Sequence, residues 1–290
     1  MSTDSTSRLG KIGIGSWTYP WGVGTISDHI PARLLKPVDL VNNACRVGAE
    51  VVQVVDNLPL HECSIADLDE FRSVAIHRNV EIEIGTRGVT PSHLLNYLRI
   101  AKQVGAKLIR TMAGWHGQPP PLEEVERDLR EVLPAFRDAD IKIALENYEA
   151  YSTRDLANLI NTLGDGYLGA CLDLTNSFGA LENKDQILNH LAGQAINVHL
   201  KDFAVERVEF LMGFAFRGRP VGEGCLPLTD LFVTLAKHGN RPNVIVELWT
   251  PFAGTLEKTL ELEDEWASRS VQFLKGLQWW QNRNVEHHST

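Results

Sequence analysis

Several signals are scarce in this chain, and each scarcity narrows what it can be. Cysteine occurs four times in 290 residues, at Cys45, Cys63, Cys171 and Cys225, with no C-x-x-C pair. That excludes a disulfide framework and suits reduced thiols in a cytoplasmic protein. No apolar run approaches the roughly 20 residues of a membrane span, and Met1 to Gly10 is polar, without the apolar stretch of a signal peptide. Blocks of Lys and Arg are missing as well: 28 basic residues face 37 acidic ones, for a net charge of -9. Affinity for nucleic acid rests on basic residues that neutralise phosphates, so no nucleic-acid partner is expected. The first turn, Gly13-Ile14-Gly15-Ser16-Trp17, lacks G-x-G-x-x-G and runs into aromatics and proline, which weakens a dinucleotide-binding reading.

What the chain does have is alternation. Eight β-rich runs recur: Lys11 to Ser16, Val51 to Asp56, Val80 to Gly85, Lys107 to Met112, Ile141 to Asn147, Leu168 to Leu174, Ile196 to Asp202 and Asn243 to Trp249. Helix-like segments lie between and after them, near Pro37 to Val47, Ser64 to Arg78, Pro91 to Val104, Leu122 to Asp138, Thr153 to Leu163, Asp185 to Leu191, Leu226 to His238 and Leu256 to Leu277. Eight β-then-α units predict an α/β fold, a single closed (β/α)8 TIM barrel, ahead of a doubly wound open sheet. No linker divides the chain, so residues 1–290 read as one domain. It carries a polar N-terminal tail (1–10), a loop over the barrel mouth (203–225) and a C-terminal tail (278–290) holding Trp279 and Trp280.

Barrel active sites form at the C-terminal ends of the strands, so a polar residue late in an apolar run is informative. Each of the last four runs supplies one: Glu146 in ALEN, Asp173 in CLDL, His199 in NVHL and Glu247 in VELW. One glutamate at a strand end is ordinarily solvated rim, and one histidine in an apolar strand is ordinarily a satisfied core residue. Four at matching depth are hard to explain separately. Three converging buried carboxylates repel one another unless a cation joins them. Three carboxylates and a neutral imidazole suit a divalent ion, Mn²⁺ or Mg²⁺, with positions left for water or substrate.

These motifs, with ALEN, CLDLTN, NVHLKD, VGEG and VELW in order, resemble the sugar isomerase/epimerase group of xylose-isomerase-like barrels from about Lys11 to Leu277. That group includes ketose 3-epimerases, hydroxypyruvate isomerase, and relatives that act as dehydratases or decarboxylases. The resemblance implies one divalent metal held by Glu146, Asp173, His199 and Glu247. Mn²⁺ comes first, with Mg²⁺, Co²⁺ and Zn²⁺ as alternatives. It further implies that Glu146 and Glu247 double as acid and base, and that the protein is a homodimer or homotetramer. Two departures stand out. Ketose epimerases carry D-x-x-H after the aspartate ligand, where this chain has Asn176. Their arginine after the histidine ligand has Arg207 and the nearer Lys201 as its local counterparts.

Further substrate contacts are expected from Trp17, Trp115, His116, Asn176, Lys201 and Arg217. Asn57, His61, Arg87 and Tyr148 also follow strands where contacts would form. The first functional expectation is a metal-dependent isomerase or epimerase of a small keto sugar or sugar acid, working through a cis-enediolate. The alternative is a lyase, a decarboxylase or dehydratase of a 3-oxo sugar acid, which Asn176 and the basic, aromatic 203–225 segment favour. A DNA-repair endonuclease on the same barrel, or a barrel that only binds, fits these residues less well.

Overall fold

Apolar β runs alternate with amphipathic helices, and in the computed structural model they close into a barrel. The structure describes residues 9–26, 28–114, 119–164, 166–209 and 212–281. Eight parallel strands form the barrel: β1 (Ile12–Gly15), β2 (Val51–Val54), β3 (Glu81–Gly85), β4 (Leu108–Thr111), β5 (Lys142–Glu146), β6 (Leu168–Asp173), β7 (Ala195–Leu200) and β10 (Asn243–Val246). Each pairs with its neighbour, and β10 returns to β1, so no barrel edge is left unpaired. The strands are one to three residues shorter than the apolar runs, whose end residues pass into the connecting loops.

The outer layer follows local chemistry. Helix α1 (Pro37–Val47) opens on a proline at its first position and closes at Gly48 in the left-handed region, φ 80°. Helices α2 (Ile65–Arg78) and α5 (Thr153–Leu163) start where Ser64 and Ser152 each accept the backbone N–H three residues on, of Asp67 and Asp155, at 3.1 Å. Helices α3 (Pro91–Val104) and α4 (Leu122–Asp138) bury stripes such as Val125, Leu129, Val132 and Phe136 against the sheet. The main apolar core therefore lies between strands and helices, while a smaller apolar set that includes Leu108, Ala144 and Cys171 lies inside the barrel. Buried polar side chains, Gln53, Glu83, Arg110 and Asn197 among them, share that interior, and this positions the site. Helix α6 (Leu174–Phe178) follows β6 directly, and α7 (Lys184–Leu191), α8 (Leu228–Lys237) and α9 (Leu256–Gly276) complete the ring.

The segment read as a plain loop over 203–225 differs. It contains an antiparallel hairpin of β8 (Phe203–Arg207) and β9 (Phe214–Gly218), with Phe203 opposite Gly218. Its residues alternate like a strand, and Phe203 packs edge-on against Phe216 at 4.6 Å between ring centroids. Arg207 sits 4.8 Å over the Phe214 ring, away from the strand ends of the barrel. At the other end, helix α10 (Gln278–Gln281) lays Trp279 and Trp280 on Phe232, each at 5.2 Å, and Trp280 Nε1 donates to Gly10 O at 2.8 Å. Residues 1–8 and 282–290 of the two expected tails lie outside the described residues. Among the described residues, no helix is long and apolar enough to cross a membrane.

Candidate metal centre and cavity

Four neighbouring strands place the expected ligands side by side. Glu146 closes β5, Asp173 closes β6, His199 is the fifth residue of β7, and Glu247 follows β10, its N–H still bonded to Leu200 O at 2.9 Å. All four are at most 2% exposed. Asp173 divides its oxygens. Oδ1 accepts the backbone N–H groups of Thr175 (2.8 Å) and Asn176 (3.0 Å), which caps α6, while Oδ2 faces the barrel axis. His199 Nε2 pairs with Gln53 Oε1 at 2.7 Å, and its Nδ1 turns towards Glu247 Oε1 (3.1 Å) and Glu146 Oε2 (3.4 Å).

Asp173, His199 and Glu247 offer donor atoms within 4.8 Å of one another, and Glu146 joins His199 in an overlapping set with Cys171. Asp173 Oδ2, His199 Nδ1 and Glu247 Oε2 are buried on this point, and the two oxygens are ion-paired with Lys201. Carboxylate oxygens and an imidazole nitrogen converging on one point are what a divalent cation requires, so these residues fit such an ion. Cys171 does not fit as a fourth ligand. Burial pushes its thiol well above the usual range, with Glu146 adding to the shift, and Sγ points to Asn197 Oδ1 at 3.4 Å.

Charge around this point is finely divided. Lys201 Nζ lies 2.7 Å from Asp173 Oδ2, 2.9 Å from Glu247 Oε2 and 3.6 Å from Glu146 Oε1. Arg110, 2% exposed, engages Glu146 through Nε and Asp56 Oδ1 through Nη1 at 2.8 Å, and Arg87 reaches Asp56 Oδ2 at 3.4 Å. Burial alone would raise the Glu146 carboxyl, but Arg110, His199 and Lys201 hold it well below the usual carboxylate range. For Asp173 burial wins and is reinforced by Glu146 and Glu247, so its carboxyl is raised despite Lys201. Burial would lower the Lys201 ammonium and the His199 imidazole. The facing carboxylates outweigh it in both, and both are raised. Three carboxylates thus meet two buried cations, and a divalent ion would turn the local surplus positive.

Above this centre opens a cavity of about 540 Å³, lined by Trp17, Arg87, Arg110, Met112, Glu146, Tyr148, Asn176, Lys201, Glu247 and Trp249, among others. The structure therefore brings together Glu146, Asp173, His199, Glu247, Trp17, Asn176 and Lys201. Asn176 is more than a turn residue: its Nδ2 donates to Glu146 Oε1 at 2.8 Å and its Oδ1 accepts from Lys201 at 3.2 Å. Lys201, expected to meet substrate, points first at the carboxylates. Arg217 is not part of this cavity. It is exposed on β9 and lines a separate groove with Phe216, Arg219 and Pro251, because the hairpin alternation turns it away. Trp115 and His116 lie outside the described residues. Sequence reasoning missed Gln53 and Arg110, although each is a lone polar residue inside an apolar run, VVQVV and LIRT.

A sequence profile described as xylose isomerase-like TIM barrel matches residues 87–277. The chain belongs to that family. Among its relatives, a 3-oxo-isoapionate decarboxylase from Pectobacterium atrosepticum is 33% identical over 91% of this chain and 94% of that protein. A D-psicose 3-epimerase from Clostridium cellulolyticum shares the fold at a TM-score of 0.70 and 13% identity, over 91% of this chain and 97% of that one. A xylose isomerase-like barrel from Mycobacterium smegmatis in complex with magnesium superposes at 0.65 with 15% identity, over 93% and 99% of the two chains. The family is one of enzymes, spanning isomerases, epimerases and a decarboxylase.

Proposed function

We propose that this protein is a divalent-metal-dependent decarboxylase of a 3-oxo sugar acid. The likeness that runs through nearly all of both chains to a 3-oxo acid decarboxylase carries this reading. The cavity agrees with it, because Arg87, Arg110 and Lys201 line one space beside the candidate ligands and suit a substrate that bears a carboxylate. Glu146, Asp173, His199 and Glu247 are the residues to hold the ion, Mn²⁺ or Mg²⁺ by their oxygen-rich chemistry. Bound there, it would act as a Lewis acid on the 3-oxo oxygen.

The chain's own residues do the rest. Arg87 and Lys201 draw the carboxylate in, and Trp17, Met112, Leu248 and Trp249 give the cavity an apolar side that receives CO₂ once the C–C bond breaks. The electron pair of that bond passes to the 3-oxo group. The carbon left behind takes one proton, which Lys201 Nζ and Glu247 Oε2, 2.9 Å apart, share and regain from solvent. Asn176 and Arg110 keep Glu146 ionised and fixed. Incubation with Mn²⁺ and 3-oxo sugar acids in D₂O should release one CO₂ per substrate and place one deuterium in the product, and chelation should stop both.

The second reading is isomerisation or epimerisation of a keto sugar, with Glu146 and Glu247 moving protons across a cis-enediolate. It is favoured by both carboxylates lining the same cavity. Solvent deuterium in an unbroken ketose skeleton, without CO₂, selects it over decarboxylation.

A further inference from the structure

Below the cavity, the barrel lumen holds a polar cluster that touches no substrate space. Gln53 on β2, Glu83 on β3 and Asn197 on β7 are 1%, 2% and 0% exposed. Glu83 accepts three amide N–H groups: Gln53 Nε2 at 2.9 Å, Asn197 Nδ2 at 2.8 Å and Asn243 Nδ2 at 2.8 Å. Burial raises the Glu83 carboxyl, and the Asn243, Gln53 and Asn197 amides oppose that shift; as a carboxylate Glu83 only accepts, so each amide turns its NH₂ towards it. Gln53 spends its two N–H groups on Glu83 and on Asn197 Oδ1, at 3.0 Å. Its oxygen is left pointing up the lumen at His199 Nε2, 2.7 Å away. An amide oxygen also only accepts, so Nε2 carries a proton, and in the neutral ring Nδ1 is the nitrogen left without one.

We propose that Glu83, acting through the amide of Gln53, is a positioning residue that locks His199 as the Nε2–H tautomer and so presents Nδ1 to a divalent cation. The inference rests on reading the site as a metal centre. Partners one step behind a ligating histidine commonly set its orientation and basicity, and here the setting comes from two steps behind. In a Glu83→Gln variant the cluster gains an NH₂ and holds donors in excess. Gln53 relieves this by rotating its amide, which sets an N–H against His199 Nε2 and moves the ring proton to Nδ1.

The test uses the full chain, stripped of metal, with ¹⁵N-labelled histidine at an alkaline pH where the ring is neutral. Long-range ¹H–¹⁵N spectra report the tautomer, and His199→Asn identifies the signal. Wild type should show Nε2–H. Glu83→Gln and Gln53→Met should move it to Nδ1–H or a mixture, with Mn²⁺ affinity by chelator competition about 10–100-fold weaker and unfolding still cooperative. Gln53→Met removes the acceptor together with the two N–H groups given to Glu83 and Asn197, and carries the test if Glu83→Gln does not fold. A wild-type Nδ1–H ring overturns the proposal by itself, as does a folded variant that keeps both Nε2–H and wild-type affinity. A tautomer change without ion binding in any form supports the relay and sinks the metal-centre reading instead.

Discussion

Replacing Lys201 by methionine should tighten metal binding while it weakens handling of the substrate. The Lys201 ammonium touches Asp173 Oδ2 at 2.7 Å and Glu247 Oε2 at 2.9 Å, the same oxygens a divalent ion would use. With metal–oxygen bonds of about 2.1 Å, an ion bound there lies about 4 Å from an unmoved Nζ. Charges of +1 and +2 at about 4 Å repel by roughly 8 kcal/mol at an effective dielectric of about 20, and by roughly 5 kcal/mol at about 7 Å. Loading therefore drives the side chain out of the carboxylate ring and into the cavity, where it meets the incoming anion. If only about 2 kcal/mol of that repulsion persists in the loaded protein, removing the charge gains roughly 30-fold in affinity. Calorimetric titration of chelator-stripped Lys201→Met with Mn²⁺ at neutral pH should show at least tenfold tighter binding, with KM for a 3-oxo acid raised. A natively folded variant that binds Mn²⁺ no tighter than wild type would refute the competition.

Glu146→Gln should cost about 3 kcal/mol at neutral pH, since it leaves the buried Arg110 short of a partner, and should lower turnover about 100-fold or more. Glu146 is held below its ordinary pKa, so its contribution is complete above the unfolded carboxylate value and is lost as pH falls through the depressed one. Urea unfolding curves of variant and wild type should therefore converge in acid, and a gap independent of pH would contradict the assignment. Asp202→Asn replaces one of two oxygens that together accept four backbone N–H groups. Limited proteolysis should then cut faster within 203–225 while Tm moves little; an unchanged cleavage rate would show that the hairpin does not depend on this carboxylate.

The barrel and the ring of strand-end residues were legible because both are written in local chemistry. A charged residue that closes an apolar run is costly unless something meets it, and Glu146, Asp173, His199 and Glu247 are met by one another and by Lys201. Arg110 carries the same signal inside its own run. Its partners, Asp56 in the turn after β2 and Glu146 at the end of β5, become neighbours only on closure. Gln53 was hidden for a similar reason, as its meaning depends on Glu83 and His199 across the lumen. The hairpin was misread as a loop because its alternation is carried by a few phenylalanines among charged residues, and the same alternation turns Arg217 outward.

Asp202 marks where the barrel stops and the insertion begins. Its two oxygens gather the N–H groups of Phe203, Gly222, Gly224 and Leu226, and a Cβ on Gly224 would fall 2.2 Å from Oδ1. Both feet of the hairpin are thus pinned to one point, next to Lys201 in the chain. Everything between the feet can lengthen, shorten or change its rings and charges without pulling on His199. The fold carries a socket: the strand-end residues stay in the barrel, while the hairpin is seated beside them on one carboxylate as a single piece.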